Sequence, residues 1–596
     1  MKKLYNIFNN VLNRLPAKRK SQFWFILCGM ICLSVIETFV LGSIAFFASA
    51  ISDTDKVLKS EYLAFIWNLF NLDFSINSKQ LIIFLSIAVV FLIALKNIFQ
   101  ATVNYWSIRF AALIEGILGK KLLSGILDMP YEWHLTQNSA DLILVSANWR
   151  VFIGRRFIFS FLQIIADILL VNIMLITLLI VQPLVSLIVI FILGTTSFLL
   201  FTSVRRKLDT IALKSRDYDQ DINKQATKMI HGFKDVKISG KQNVFMNLYG
   251  NDLYNLSKLQ GMQQLISGLP TWILETIGFF MISFSICFML FFLDFSVARV
   301  SGTITLLAVT AWRVLPALNR ILSKLSGIRN SLPYVEKILS YHKEIESNYR
   351  INPLNNKINT KIDFEQIISL KNVSFTYKDS EQYALKDINL TIKKGSIIGI
   401  IGRSGAGKST FVDIITGLLS PSYGKLLIDE TILDNYDLRM AWMTKLGYVP
   451  QTPYIFDGTL AENIAFEMDG KNIDKNQVIK CCHMAAMDDF FNNLPLGIDS
   501  YIGERGIRLS GGQRQRVSIA RALYQEPELI IFDEATSALD TENEKAIQDT
   551  IYGLRGKQTM IVVSHRLTTV ESCDILYEFD QGIIKNMGTP QEVLKF

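Results

Sequence analysis

The residues best suited to chemistry lie in one glycine-rich segment whose spacing predicts a binding site for polyphosphate. An apolar run over 397–401 leads into GRSGAGKS, a glycine followed by four residues, Gly-Lys and then Ser. A strand, a glycine-rich turn and a helix in this order aim backbone N–H groups at phosphate oxygens. The predicted phosphate-binding residues are Gly402, Arg403, Ser404, Gly405, Ala406, Gly407, Lys408, Ser409 and Thr410.

Two carboxylates downstream predict a hydrolytic site for ATP with Mg²⁺. The apolar run 529–532 reads as a buried strand that ends in Asp533 and Glu534. Asp533 and the Ser409 hydroxyl would hold Mg²⁺, Lys408 would reach the β- and γ-phosphates, and Glu534 would polarise water as general base. The alternatives are a chance glycine turn and two acids that merely end a strand; the paired motifs disfavour both.

The elements that must carry this site follow a long apolar region. Half of the 596 residues are hydrophobic, and the excess lies before residue 330. A membrane-spanning helix needs roughly 20 apolar residues. Six segments meet this length or approach it: 23–50, 81–105, 157–180, 185–201, 272–293 and 297–318.

The predicted fold is a membrane α-helical bundle of six transmembrane helices fused to a C-terminal α/β P-loop ATPase domain. We expect a transmembrane domain over 1–330, a polar linker over 331–361 and a nucleotide-binding domain over 362–596. Residues 51–79 form an outer loop whose apolar residues suggest a helix, either on the outer leaflet or packed on the first two spans.

The positive charge indicates membrane topology rather than nucleic-acid binding. The net charge is +8, and residues 1–20 contain six basic side chains and no acidic one. Basic loops stay on the cytoplasmic side and meet anionic lipid, so we expect both termini in the cytoplasm of a multi-pass inner-membrane protein. Six scattered cysteines predict reduced thiols rather than a disulfide framework.

The pentapeptide Leu509–Gln513 carries a family resemblance, because LSGGQ is the signature of the ATP-binding cassette superfamily. One membrane domain ahead of one cassette resembles a half-size exporter of that superfamily. This resemblance implies a homodimer with two cassettes arranged head to tail. It also implies that the signature residues of one cassette reach the γ-phosphate held by the other: Ser510, Gly511, Gly512 and Gln513.

Further positions match the same superfamily. The resemblance implies that Tyr377 stacks on adenine. It also implies that Gln451 and His565 are catalytic together with Glu534, with Gln451 at the Mg²⁺ and water and His565 on the γ-phosphate. It assigns inter-domain and inter-cassette contacts to four more segments: 129–133, 232–237, Gly503–Gly506 and Ser537–Asp540.

The sequence says less about the transported substrate than about the ATP-hydrolysing site. Ionisable residues within spans are costly and are therefore candidate functional sites. Lys96 and Arg313 could hold an anionic headgroup, or they could pair with carboxylates of neighbouring helices. The charged residues of the spans are Glu37, Lys96, Asp167, Glu275, Arg313 and Arg320.

The segments Ile36–Phe39 and Trp312–Arg320 resemble flippases of lipid-linked oligosaccharides, although Thr271 stands where those flippases have an arginine. The implied activity is ATP-driven flipping of an amphiphilic polyprenyl-diphosphate oligosaccharide for glycan or glycoprotein assembly. The alternatives are export of drugs, peptides or lipid A-like lipids and, in another class, an ATP-gated channel or regulator.

Overall fold

The computed structural model divides into two compact units. The first comprises Met1–Met129 and Gln137–Asn348, and the second comprises Pro130–Thr136 and Tyr349–Phe596. The structure describes residues 2–52, 78–181, 183–292, 297–349 and 361–594, apart from 379, 469, 471, 504–505, 536–544, 546–547, 550–551 and 557. Several predicted features lie outside the described residues: the outer-loop helix over 53–77, the side chain of Arg313, Glu504, Arg505 and Ser537–Asp540.

The first unit is built from long helices. The helices before residue 350 are α1 Lys2–Asn13, α2 Ala17–Ser52, α3 Ser78–Leu127, α4 Tyr131–Thr136, α5 Ser139–Ile143, α6 Phe159–Val181, α7 Pro183–His231, α8 Phe233–Ile238, α9 Gln242–Phe292 and α10 Val297–Tyr349. Two π-helical segments, Leu144–Asn148 and Phe152–Ile158, precede α6. Within the unit, α2 packs on α3 and α6, and α7 packs on α9.

All six predicted spans fall within these long helices as far as the structure describes them. Three segments of the described chain are long and apolar enough to cross a membrane by length and composition: Ala17–Ile44, Lys79–Leu127 and Phe152–Thr177. Their large apolar side chains are exposed in several places, as at Phe25 and Phe91. A helix satisfies its own backbone hydrogen bonds, so such faces can meet hydrocarbon.

The predicted linker starts later than the sequence suggested. Helix α10 continues through Tyr349, so residues 331–349 are helical rather than part of a loop. One face of this extension is buried at a helical spacing, as Val335, Ile338 and Ile345 show. This buried apolar stripe stabilises the helix despite Pro333 and the polar composition on which the linker prediction depended.

The second unit contains two sheets. Its strands are β1 Ile367–Phe375, β2 Leu385–Lys393, β3 Ile397–Gly402, β4 Tyr423–Ile428, β5 Thr431–Ile432, β6 Leu446–Val449, β7 Leu529–Asp533, β8 Thr559–Val563, β9 Ile575–Asp580 and β10 Ile583–Gly588. The antiparallel sheet has the order β2-β1-β4-β5, and the larger sheet has the order β10-β9-β3-β8-β7-β6. Within the larger sheet every pairing is parallel except that of β10 with β9.

Helices flank the larger sheet. They are α11 Lys408–Ile415, α12 Tyr436–Met443, α13 Leu460–Ala465, α14 Lys475–Met484, α15 Asp488–Asn492, α16 Gly511–Tyr524, α17 Leu567–Val570 and α18 Pro590–Leu594. Successive strand residues enter different cores: Ile530 and Phe532 join one buried cluster, whereas Leu529 and Ile531 join another. Because side chains alternate between the faces of a strand, the sheet is buried on both sides.

The order of the strands brings the predicted functional residues to one edge of the larger sheet. The segments carrying the predicted functional residues follow β3, β6, β7 and β8, which are parallel neighbours in the sheet. The carboxyl ends of parallel strands meet at one edge, where open α/β sheets bind ligands. The sheet therefore gathers residues that are up to 163 positions apart, from Gly402 to His565.

Candidate nucleotide-binding and hydrolysis site

The phosphate loop follows β3 and requires its glycines. Gly402 has φ 152° and Gly407 has φ 98°. A Cβ at Gly402 would lie 2.3 Å from the carbonyl oxygen of Phe579, and one at Gly407 would lie 2.6 Å from that of Ala384. Helix α11 then begins at Lys408, so the N–H groups of its first turn have no intrahelical acceptor. This end of the helix suits an anion.

Lys408 lies across its own loop. Its Nζ donates to the carbonyl oxygens of Gly402, at 2.8 Å, and Arg403, at 3.0 Å. The residue is 6% exposed, and burial lowers the pKa of the ammonium. The loop thus holds a positive charge beside the free N–H groups, as the phosphate-loop pattern predicts.

Asp533 ends β7 at the same edge of the sheet. Tyr448 on the neighbouring β6 donates its hydroxyl proton to Asp533 Oδ2 at 3.0 Å. Burial raises the pKa of Asp533, whereas this hydrogen bond opposes the rise. The carboxylate is therefore fixed by a tyrosine that the motif analysis did not identify.

Glu534 occupies a strained backbone position. Its φ is +50°, a left-handed conformation that costs a non-glycine residue on the order of 1 kcal/mol. The backbone N–H donates to the carbonyl oxygen of Val563 on β8 at 2.9 Å, which holds the turn in place. Strain of this kind concentrates at functional sites.

The Glu534 carboxylate lies between two side chains. Gln451 Nε2 donates to Oε2 at 2.6 Å, and His565 Nε2 donates to Oε1 at 2.6 Å. The glutamate side chain is 16% exposed. The structure thus brings together the three residues predicted to be catalytic and fixes both oxygens of the carboxylate.

His565 also connects this group to the phosphate loop, since its Nε2 lies 3.3 Å from Lys408 Nζ. A ring nitrogen that donates to Glu534 cannot also accept a hydrogen bond from Lys408, so the 3.3 Å separation is a close approach rather than a second hydrogen bond. The short distance places the histidine between the phosphate-binding and the water-activating residues.

Tyr377 lies beside the phosphate-loop helix. Its hydroxyl is 3.1 Å from Thr410 Oγ1, and its ring meets that of Phe375 edge-on at a centroid distance of 4.9 Å. The aromatic residue is therefore held next to the phosphate site by the end of β1. Its stacking on adenine stays a prediction.

The signature residues form the start of α16. Ser510 is the N-cap: its Oγ accepts from Gln513 N–H at 3.2 Å, and Gln513 Oε1 accepts from Ser510 N–H at 2.8 Å. In the described part of the chain these residues bond to each other and not to the phosphate loop or Glu534. The Ser510 hydroxyl proton and the free helix end can still meet an anion. A contact with the partner's phosphate stays a prediction.

The structure adds Tyr448 and Asp413 to the site. Burial, and then the charge of Asp533, raise the pKa of Asp413 on α11 to about 6. An aspartate within the otherwise apolar helix 411–415 was a visible signal for this position. Tyr448 had no sequence signal, because its approach to Asp533 depends on the order of β6 and β7 in the sheet.

The residues present fit Mg²⁺. Ser409 supplies a hydroxyl at the start of α11, and Asp533 supplies carboxylate oxygens at the end of β7. Gln451 adds an amide beside them. These are the hard oxygen donors that Mg²⁺ prefers.

The charges of the membrane spans are partly accounted for by ion pairs. Lys96 Nζ lies 3.4 Å from Glu37 Oε1, and both side chains are at least 96% buried. Arg320 contacts Asp167 through Nε at 3.0 Å and Nη2 at 2.7 Å. Interhelical pairing, one of the two interpretations left open for Lys96, is therefore what the structure contains. Glu275 is exposed.

A short helix outside the cassette sequence belongs to the second unit. Helix α4, within the predicted inner-loop segment, groups with residues 349–596, and Tyr131 packs against the core of the antiparallel sheet and the phosphate-loop helix. The other predicted segment forms α8 in the first unit, with no buried residue.

Comparison with known proteins supports these features. Residues 385–537 match the family model of the ABC transporter. The chain is 32% identical over 398 residues to the ATP-dependent lipid A-core flippase of Salmonella typhimurium, and 32% identical over 399 residues to that of Escherichia coli K12. Each alignment spans 66% of this chain and 66% of the relative, just under two thirds of the relative's length.

A solved structure extends the likeness to nearly the whole chain. A bacterial Atm1-family ABC exporter with ATP bound aligns with a TM-score of 0.79 over 96% of both chains, at 21% identity. The predicted fold class is therefore confirmed: an N-terminal membrane-embedded helical region precedes an α/β ATP-binding unit. With the phosphate loop, the Asp533–Glu534 pair and the LSGGQ helix in place, the chain contains an ABC transporter domain over residues 385–537 and has the fold of an ABC exporter.

Proposed function

We propose that this chain is one half of a homodimeric exporter that hydrolyses Mg-ATP to move an amphiphilic lipid across the inner membrane. The observation that best supports ATP hydrolysis is the placement of Glu534, whose two carboxylate oxygens are held by Gln451 and His565. A carboxylate held in this way, beside a phosphate loop, is suited to orient and deprotonate water.

Each residue of the site has a separate role in the proposed hydrolysis of ATP. Glu534 accepts the proton of the attacking water, while Gln451 and His565 hold the carboxylate in position. Lys408 leaves the carbonyl oxygens of its loop to contact the phosphates. Ser409 and Asp533 hold Mg²⁺, which supplies charge neutralisation on the phosphate oxygens when bound. Ser510 donates to the phosphate bound by the partner.

The first candidate cargo is a lipid of the lipid A-core class. It rests on the two flippases named above, which match across both the membrane region and the cassette at 32% identity. The alternative class of cargo from the sequence is thus better supported than the polyprenyl-diphosphate oligosaccharide, which stays the second candidate on the residues of spans one and six. The two share a hydrophobic anchor and a sugar head.

The experiment is flipping in proteoliposomes with fluorescent lipid A-core, a polyprenyl-diphosphate oligosaccharide and a phospholipid. We expect ATP-dependent flipping of a sugar-bearing lipid by the wild type and none by Glu534→Gln, which retains ATP binding. The exposed Glu381→Gln is the matched control and keeps wild-type rates. Hydrolysis at wild-type rates in Glu534→Gln would overturn the general base, and wild-type hydrolysis without flipping of any lipid would overturn the cargo class.

A further inference from the structure

A cavity of about 680 Å³ lies among the helices of the first unit, and none of the residues that line it has a role in the proposed hydrolysis. Its volume is in the range of small-molecule sites. It lies between the π-helical segment 152–158 and helices α7, α9 and α10. The motifs of the sequence assign no role to the residues that line it.

One wall is a polar stripe along α9. The residues recur at the spacing of one helix face and, apart from a single glycine, each carries an amide or a hydroxyl: Gln260, Gln263, Gln264, Ser267, Gly268 and Thr271. The stripe ends at Thr271, directly before the predicted span 272–293 of the same helix. This stripe was visible in the sequence, but only the structure shows that it lines a cavity.

Two buried polar side chains in the walls lack partners. Asn330 on α10 and Ser215 on α7 are each 6% exposed. Neither Asn330 Oδ1, Asn330 Nδ2 nor Ser215 Oγ has a hydrogen-bond partner among the described residues. Leaving a buried donor or acceptor unpaired costs about 1–3 kcal/mol each. Unpaired buried polar groups in a folded protein call for an explanation, and a ligand that pairs with them is one.

The opposite wall contains a stacked aromatic pair and a guanidinium. The Phe152 ring stacks on that of Tyr334 at 4.0 Å with an interplanar angle of 4°, and the Arg156 guanidinium lies 4.9 Å from the centroid of Phe152. Phe152 and Arg156 belong to the π-helical segment, a conformation frequent at functional sites. Stacking therefore presents the guanidinium and the Tyr334 hydroxyl as fixed hydrogen-bonding groups.

The charge of the cavity argues against a polyanion. Arg156 and Asp219 are the charged residues among those that line it, and their charges cancel. Asp219 Oδ2 accepts from the Trp149 indole N–H at 2.9 Å. A diphosphate would need several cations. Amides and hydroxyls instead both donate and accept, as sugar hydroxyls do.

We propose that this cavity binds the uncharged, hydroxyl-rich sugars of the cargo through the glutamines of α9 and Asn330. The inference rests on the proposed function, because it names the part of a glycolipid that the first unit recognises. The phosphate groups of either candidate lipid are then bound elsewhere. Sugar hydroxyls pair with the Asn330 amide and the Ser215 hydroxyl.

The test uses the full-length protein in proteoliposomes, with Gln263→Leu and Asn330→Leu as variants. Asn251→Leu, at an exposed position on the same helix α9, is the matched control. Flipping and stimulation of ATP hydrolysis are titrated with fluorescent lipid A-core, with a polyprenyl-diphosphate oligosaccharide of neutral sugars, and with the polyprenyl diphosphate that lacks sugars. We expect each cavity variant to need on the order of tenfold more glycolipid, from about 1.4 kcal/mol of lost hydrogen bonding.

The outcomes distinguish a role of the cavity in substrate binding from a role in ATP hydrolysis. A shift with the sugar-bearing lipids, none with the sugar-free diphosphate, and none in Asn251→Leu supports the proposal. Wild-type titrations in both cavity variants would overturn it while leaving the proposed function standing. A shift of the same size with the sugar-free diphosphate would also overturn it, because the lost contacts would then not be contacts with sugar. Flipping of no glycolipid by the wild type would refute the proposed function itself.

Discussion

The buried pair of Lys96 and Glu37 allows a quantitative test of whether Lys96 is structural. The side chains are 2% and 4% exposed, and Nζ lies 3.4 Å from Oε1. With an effective dielectric constant of about 20, the attraction is about 5 kcal/mol. Removing one partner of a buried pair typically costs about 3–5 kcal/mol, because a charge stays buried without its counter-charge. We therefore expect Lys96→Met to destabilise the protein by about 3–5 kcal/mol.

The double variant distinguishes pairing from cargo binding. Lys96→Met with Glu37→Met replaces both charges by apolar groups of similar size, which is often nearly neutral, so stability should return to near the wild-type value. Lys120→Met, at an exposed position on the same helix α3, is the matched control and should change stability little. The assay is thermal unfolding in detergent, followed by tryptophan fluorescence and by the fraction of protein that stays soluble.

Two results would refute this reasoning. Lys96→Met with the stability of the Lys120→Met control would show that the pair contributes little. A double variant that regains stability but no longer flips lipid would show that Lys96 acts on the cargo, as the sequence alone also allowed.

Two further changes test the second unit. Tyr448→Phe removes the hydroxyl that fixes Asp533 and thus raises the pKa of that carboxyl. We therefore expect the acid limb of the ATPase pH profile to move to higher pH and half-maximal activity to need several-fold more Mg²⁺. An unchanged profile, matching that of the exposed Tyr454→Phe, would contradict this. Asp413 has a folded pKa of about 6, above its ordinary value of 3.8, so its stabilising contribution is complete below about pH 4 and is lost as the pH rises through about 6. Asp413→Asn should therefore raise the melting temperature at pH 7.5 but much less at pH 5, and an equal gain at both pH values, or one also seen in the exposed Asp363→Asn, would exclude this cause.

The sequence by itself determined the class of the protein. The long apolar segments before residue 330 predict transmembrane helices, because a helix satisfies its own backbone hydrogen bonds in hydrocarbon. The phosphate loop is equally local: Gly402 and Gly407 adopt backbone angles that other residues avoid, and Lys408 and Ser409 follow directly in the chain. Motifs of this kind can be recognised because their chemistry depends on neighbours in sequence.

Only the tertiary structure decided which distant groups meet. The parallel order of β6, β7 and β8 brings Tyr448 to Asp533 and brings Gln451 and His565 to the two oxygens of Glu534. Packing of α2 on α3 pairs Lys96 with Glu37, and packing of α7, α9 and α10 turns a polar stripe into the wall of a cavity. These contacts join residues that are far apart in the chain, and a single sequence does not show which distant residues meet. The length of α10 was missed for a related reason, because the polar residues after 331 concealed an apolar stripe that is stabilised by burial.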